Sequence, residues 1–139
     1  MHVKEMERQL SVILEKGEEI ISSLEELARN RDFSGFFLGI GAVSDPEVGY
    51  FKREKGEFIQ RRLNGEFEVL SLLGNIGSRQ GEVVVHGHII LGDDEYNTKG
   101  GHLVKATVSV TLELSLFRSS KLIREKDEIT GLHLIKKFS

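Results

Sequence analysis

Three histidines carry the strongest chemical signal in this sequence. His86 and His88 are separated by a single glycine, and His102 follows after a polar loop. Side chains two residues apart on an extended strand project from the same face, so His86 and His88 would stand side by side. The loop has about the length of a hairpin connection, which would let His102 lie opposite them. Neutral imidazoles are the commonest protein ligands of divalent metals. Three converging on one patch would suit zinc or nickel, with water or an acid group in the fourth position. A His-x-His on one strand with a third histidine on its neighbour is also the ligand pattern of zinc lyases of the carbonic-anhydrase type, a likeness of geometry and not of fold. Asp93 and Glu113 are the candidate carboxylates for the fourth place or for orienting the imidazoles. Strict alternation puts Glu113 on the face opposite His102, unless a bulge reverses it. Glu68, Ser71 and Asn75 could line the same cleft. Gly87 and Gly100-Gly101 allow close backbone approach.

The same three histidines have a plainer reading. They could hydrogen-bond one another and the backbone around a polar cleft without metal, or help such a cleft take a small organic acid. His2 and His133 have no partner in the sequence and read as surface residues.

The elements that must position these residues are mostly strands. Leu10, Val12 and Leu14 alternate within 8–15 and mark a first strand. Lys16-Gly17 breaks it. Ile20, Ile21, Leu24, Leu27 and Ala28 recur at helical spacing over Glu18–Asn30, with Glu18 and Glu19 in the first turn and Arg29 in the last, as the helix dipole favours. Strand-like patterning then continues to the end. The expected strands are 36–43, 48–51, 57–63, 66–75, 82–91, 102–117, 122–124 and 132–136. Ser44-Asp45-Pro46 and Lys55-Gly56 read as turns, and Asn64-Gly65 as a hairpin. Phe67, Val69 and Ser71 should share one face of their strand, with Leu70 and Leu72 on the other. Gly39 and Gly41 read as places where the strand bends or packs closely, because no helix start follows to complete a dinucleotide fingerprint.

One helix with many antiparallel strands makes an α+β domain spanning residues 1–139, with the helix on one face of a strongly curved sheet. The faces of His86 and His88 (through Val84 and Ile90) and of His102 (through Val104 and Ala106) both read as apolar. One helix cannot cover Val104, Ala106, Val108, Val110, Leu112 and Leu114 as well, so self-association is expected.

Composition narrows the function. The 139 residues are 39% hydrophobic and 29% charged, which is ordinary globular material. There is no cysteine, so disulfides and thiolate metal sites are excluded. No apolar run approaches the roughly 18 residues of a membrane span. The opening Met1-His2-Val3-Lys4-Glu5 is polar and leads into no apolar signal core, so the cytoplasm is the default location. Net charge is −3, and the basic pairs Lys52-Arg53, Arg61-Arg62 and Lys136-Lys137 are scattered. Nucleic-acid affinity depends on phosphate neutralisation, and this balance gives it little support. The acidic polar side of the helix argues against a membrane-surface role.

An ordered series of short motifs runs through the chain. Gly39-Ile-Gly-Ala42 leads to Asp45 and Gly49-Tyr50-Phe51. Glu68-Val-Leu-Ser71 leads to Gly74-Asn75-Ile76. His86-Gly-His88 is followed by Leu91-Gly92-Asp93, Gly100-Gly101-His102, Thr111 with Glu113, and Thr130-Gly131-Leu132. Together they resemble the stand-alone prokaryotic form of the PPC domain (plant and prokaryote conserved) over residues 8–136. The resemblance implies a sheet-rich α+β fold that assembles as a homotrimer, and it brings an association with DNA binding and transcription. In plant relatives the DNA contact comes from a separate AT-hook with an Arg-Gly-Arg-Pro core. This sequence has no such core, and its single proline is Pro46. Two functions are therefore expected: a trimeric assembly or regulatory module linked to DNA, which would not be an enzyme, or a zinc-like metal site serving an enzyme or small-molecule sensor.

Overall fold

Leu10, Val12 and Leu14 all point into the core from β2 (Gln9–Glu15), as their alternation requires. The computed structural model describes residues Met1–Ser139. Before β2 it adds a short strand, β1 (His2–Glu5), which pairs antiparallel with β2. The sequence gives little sign of β1, because only Val3 is apolar there.

Helix α1 spans Ile20–Arg31, later than the sequence suggests. Glu19 is its N-cap. Its carboxylate accepts hydrogen bonds from the amides of Ile21 (3.1 Å) and Ser22 (2.8 Å), and from the amide of Ala106 across the sheet (3.3 Å). A long acidic side chain thus does what a short Asp or Ser usually does at this position, and ties the helix start to the sheet. Glu18 lies before the cap and binds the N-terminal ammonium at 2.8 Å. Asp32 ends the helix in the left-handed region, φ 44°. The stripe Ile20, Leu24, Leu27 and Ala28 is buried, each Leu or Ile contributing about 2 kcal/mol of hydrophobic stabilisation.

The remaining chain forms β3 (Gly35–Lys52), β4 (Glu57–Arg62), β5 (Glu66–Arg79), β6 (Glu82–Gly92), β7 (Thr98–Arg118), β8 (Leu122–Lys126) and β9 (His133–Phe138). Pairing is antiparallel except for one parallel bridge between Ser78 of β5 and Ile123 of β8. The curvature goes further than a bent sheet. β3 pairs with β5, β5 with β6, β6 with the start of β7, and the rest of β7 with β3, which closes a ring. Helix α1 packs against β6 and β7.

Three sequence expectations change, each because of a bulge or a strand junction. Ser44-Asp45-Pro46 is no turn. β3 runs through it with a register shift between Ser44 and Glu47, so the missing amide of Pro46 falls where the ladder is already interrupted. Asn64-Gly65 is no hairpin. It joins β4 to β5, which pair in succession with the same strand β3, and the hairpin turn lies at 53–56. In β5 a bulge at Leu70 moves Leu72 onto the buried face with Phe67 and Val69.

The apolar residues of β7 also divide differently. Ala106, Val108, Leu112 and Leu114 are buried within the chain, whereas Val110 is 68% exposed. The uncovered apolar surface instead lies on the outer face of the central strands, at Phe36, Leu38, Ile40, Leu73 and Phe117. No helix is long and apolar enough to cross a membrane.

Candidate metal centre

β6 and β7 bring the histidines together by register. His88 and His102 are direct partners across the two strands, and His86 faces Asn75 of β5. The ring centroids lie 5.0 Å apart for His86–His88 and for His86–His102, and 5.9 Å for His88–His102. One ligand nitrogen from each lies within 4.8 Å of the others, so the group could hold a metal.

Their face is not the core face, contrary to the sequence reading. In β6 the odd residues Gly87, Ile89 and Leu91 point inward and are buried, which sends His86, His88 and Ile90 outward. In β7 both Leu103 and Ala106 are buried. A register shift near Lys105 therefore breaks the face that His102 would have shared with Ala106. The imidazoles line an outward cavity of about 850 Å³ with Phe58, Ile90, Arg79, Arg124 and Leu134 among its walls. Phe58 sets its ring edge-on to His102 at 5.3 Å. Gly49 makes room for it: a Cβ there would lie 2.1 Å from the Phe58 ring.

Burial, then the Arg124 charge, then the two other imidazoles push the pKa of His86 down from 6.5 to about 4. Burial, His88 and Arg124 push His102 down as well. Both rings are neutral at pH 7, the form that ligates metal.

Arg124 is the residue that the sequence reading passed over. It reaches in from β8 and is only 8% exposed. It donates to the carbonyl of His133 (2.9 Å), to Oδ1 of Asn75 (2.6 Å) and to Nδ1 of His86 (3.3 Å). Arginine is a donor only, so Nδ1 of His86 accepts in this arrangement. A metal at His86 would be met after that contact opens or the ring turns. One signal did mark Arg124: it shares strand parity with Leu122, which is buried.

Of the other candidates, Asn75 stands beside the cluster through its bond to Arg124. Asp93 lies in the β6–β7 loop, where its Oδ1 accepts from the amides of Glu95 (3.0 Å) and Asn97 (2.8 Å), and it does not line the cavity. Glu113 is on the outer face, because the β7 irregularities reverse strict alternation, but it pairs with Ile13 and Ile40, far along β7 from His102. Glu68 and Glu113 meet in a separate groove beside Ile40 and Leu70. Gly39 and Gly41 are packing positions: a Cβ at Gly41 would lie 2.1 Å from the Thr111 carbonyl.

Fold and site together define an α+β protein, mostly of antiparallel strands, with three imidazoles grouped in an outward cavity. Residues 1–119 match the Plants and Prokaryotes Conserved (PCC) domain, also abbreviated PPC, and the chain belongs to that family. A PPC protein from Pyrococcus horikoshii is 30% identical, with 99% of this chain and 95% of that one covered and a TM-score of 0.85. A metal-containing protein from Archaeoglobus fulgidus is 31% identical over 99% of this chain and all of that one, 100%, with a TM-score of 0.86. A Bacteroides thetaiotaomicron protein whose name suggests DNA binding shares the fold, with a TM-score of 0.93 over 97% and 96% of the two chains at 24% identity. No curated protein matches the chain.

Proposed function

We propose that this chain is a metal-binding module that offers a small-molecule pocket. The observation that supports this most is the grouping of three ligand nitrogens within 4.8 Å of one another in a cavity of about 850 Å³, a volume usual for small-ligand sites. His86, His88 and His102 would hold the ion. Zinc suits three neutral imidazoles with one position left open, and when bound it would supply polarisation of a water or carbonyl oxygen. The metal in the similar Archaeoglobus protein favours the same reading. The outer apolar face of Phe36, Leu38, Ile40 and Leu73 is the surface by which copies would assemble as a homotrimer, placing the pockets at its edge.

A DNA-binding role has weak support from the names of proteins that share the fold and, within this chain, from one feature, the β3–β4 hairpin with Lys52, Arg53, Lys55 and Arg61. Glu54 and Glu57 interrupt it, while Lys136 and Lys137 are held by Asp127 and Glu125. We therefore rank it second.

Metal content of untagged protein purified without added metal tests the first reading, with subunit mass measured on the same sample. The expected result is near-stoichiometric zinc on a trimer in the natural protein, and none on His88→Ala at the same mass. A metal-free natural protein that also fails to take up added zinc would sink it. Duplex binding that weakens steeply with salt would raise the DNA reading above it.

A further inference from the structure

Arg124 has no counter-charge. It is more than nine-tenths buried, and no carboxylate lies within ion-pair range of it. Its three hydrogen bonds go to neutral acceptors: a carbonyl, an amide oxygen and an imidazole nitrogen. Guanidinium has five N–H donors. Nε is buried and unpartnered, and one Nη1 donor is also unused. A buried cation left this way is unfavourable unless something anionic completes it.

The surrounding cavity has the same bias. Its ionisable walls are Arg79, Arg124, four histidines and Tyr50, with no aspartate or glutamate among the lining residues. Of the acids of the β8–β9 hairpin, Glu125 is held by Lys137 at 2.6 Å and Asp127 by Lys136 at 2.9 Å, and Glu128 is exposed in the turn and does not line the cavity. A divalent metal on the imidazoles would add still more positive charge. The rest of the wall is apolar, including Phe58, Ile90, Leu132 and Leu134. Such a site selects an anionic head on an apolar body.

We infer that the cavity takes a small organic carboxylate. Its head lies between the Arg124 guanidinium and the imidazole cluster, and its body lies against Phe58, Ile90 and Leu134. The inference rests on the metal reading only for the share of the head group that the ion would hold. Arg124 supplies the rest, because a planar guanidinium matches a carboxylate in geometry as well as charge.

The test uses hexanoate and phenylacetate, each against its uncharged amide, on untagged protein in metal-free and zinc-loaded forms, with Kd measured by NMR titration. Each acid should bind at least ~10-fold tighter than its amide. Zinc should increase that preference, and Arg124→Met should remove it in the metal-free form. In cobalt-loaded protein the visible bands should shift with the acid and not with the amide. Arg124→Met loses the bonds to Asn75 and to the His133 carbonyl, and where that variant fails to fold the acid–amide comparison on natural protein decides alone. Equal binding of acid and amide, or no binding of either, overturns the carboxylate site even where zinc loads stoichiometrically. Acid preference in protein that refuses zinc keeps the carboxylate site and removes the metal.

Discussion

The outer face of the sheet has two polar ends of opposite sign. At one, His86, His88, His102 and Arg124 share a cavity without any acid. At the other, Glu68 and Glu113 share a groove without any base. The histidines and the two glutamates arise from the same device, polar residues alternating with buried ones along long strands, whereas Arg124 is itself buried and reaches in from the short strand β8. The two ends differ in cover. The carboxylates are exposed, whereas Arg124 is almost wholly covered and His86 is partly so. Burial makes a side chain's charge expensive and its chemistry adjustable, so the cationic end has the properties of a binding site and the acidic end those of solvated surface.

The largest expected effect separates the two ends outright. His88→Ala should remove bound metal entirely, read by elemental analysis. Because His88 is exposed, stability in the metal-free form should change by no more than about 0.5 kcal/mol.

The next effect concerns pH. His86 has a folded pKa near 4 against 6.5 unfolded. A depressed histidine binds more protons in the unfolded state, so its share of stability is present above pH 6.5 and is lost as pH falls from 6.5 to about 4. Discounted for partial exposure, the loss should be about 1–2 kcal/mol, seen as a falling Tm of metal-free protein. A Tm flat across that window would show that His86 is not held neutral by its surroundings.

Gly49→Ala should act through Phe58. The new Cβ displaces a ring that is partly exposed and free to swing, so the fold should survive. His102 loses its edge contact, and zinc affinity should fall about 3- to 10-fold in a chelator competition. The smallest effect belongs to the acidic end. Glu113→Gln should leave metal content unchanged and affinity within about two-fold. A larger loss there would join the two ends into one site and break the contrast.

Parts of this were legible in the chain. His86 and His88 share a face because strand side chains repeat every two residues, and the polar loop before His102 signalled a return strand. Register then made His88 and His102 direct neighbours. The face itself is not legible, because Val84 and Ile90 suggest an apolar core side and that side is the outer one. Ala106 lies beyond a shift that alternation cannot reveal. Residue type alone groups Asp93 with the histidines, and its loop amides claim it. Arg124 was missed because its partners Asn75 and His86 lie on strands far away in sequence, and only its parity with Leu122 hinted that it turns inward.

The sequence by itself determined the helix stripe, the run of strands, the pairing of His86 with His88 and the family motifs, since all of these rest on local periodicity and ordered spacing. Tertiary structure alone decided that β6 pairs with both β5 and β7, that the histidines face outward, and that an arginine without a counter-charge stands beside them. Those facts depend on bulges and register. One inserted residue reverses every side chain beyond it, and no local pattern records where the neighbouring strand will take up the count.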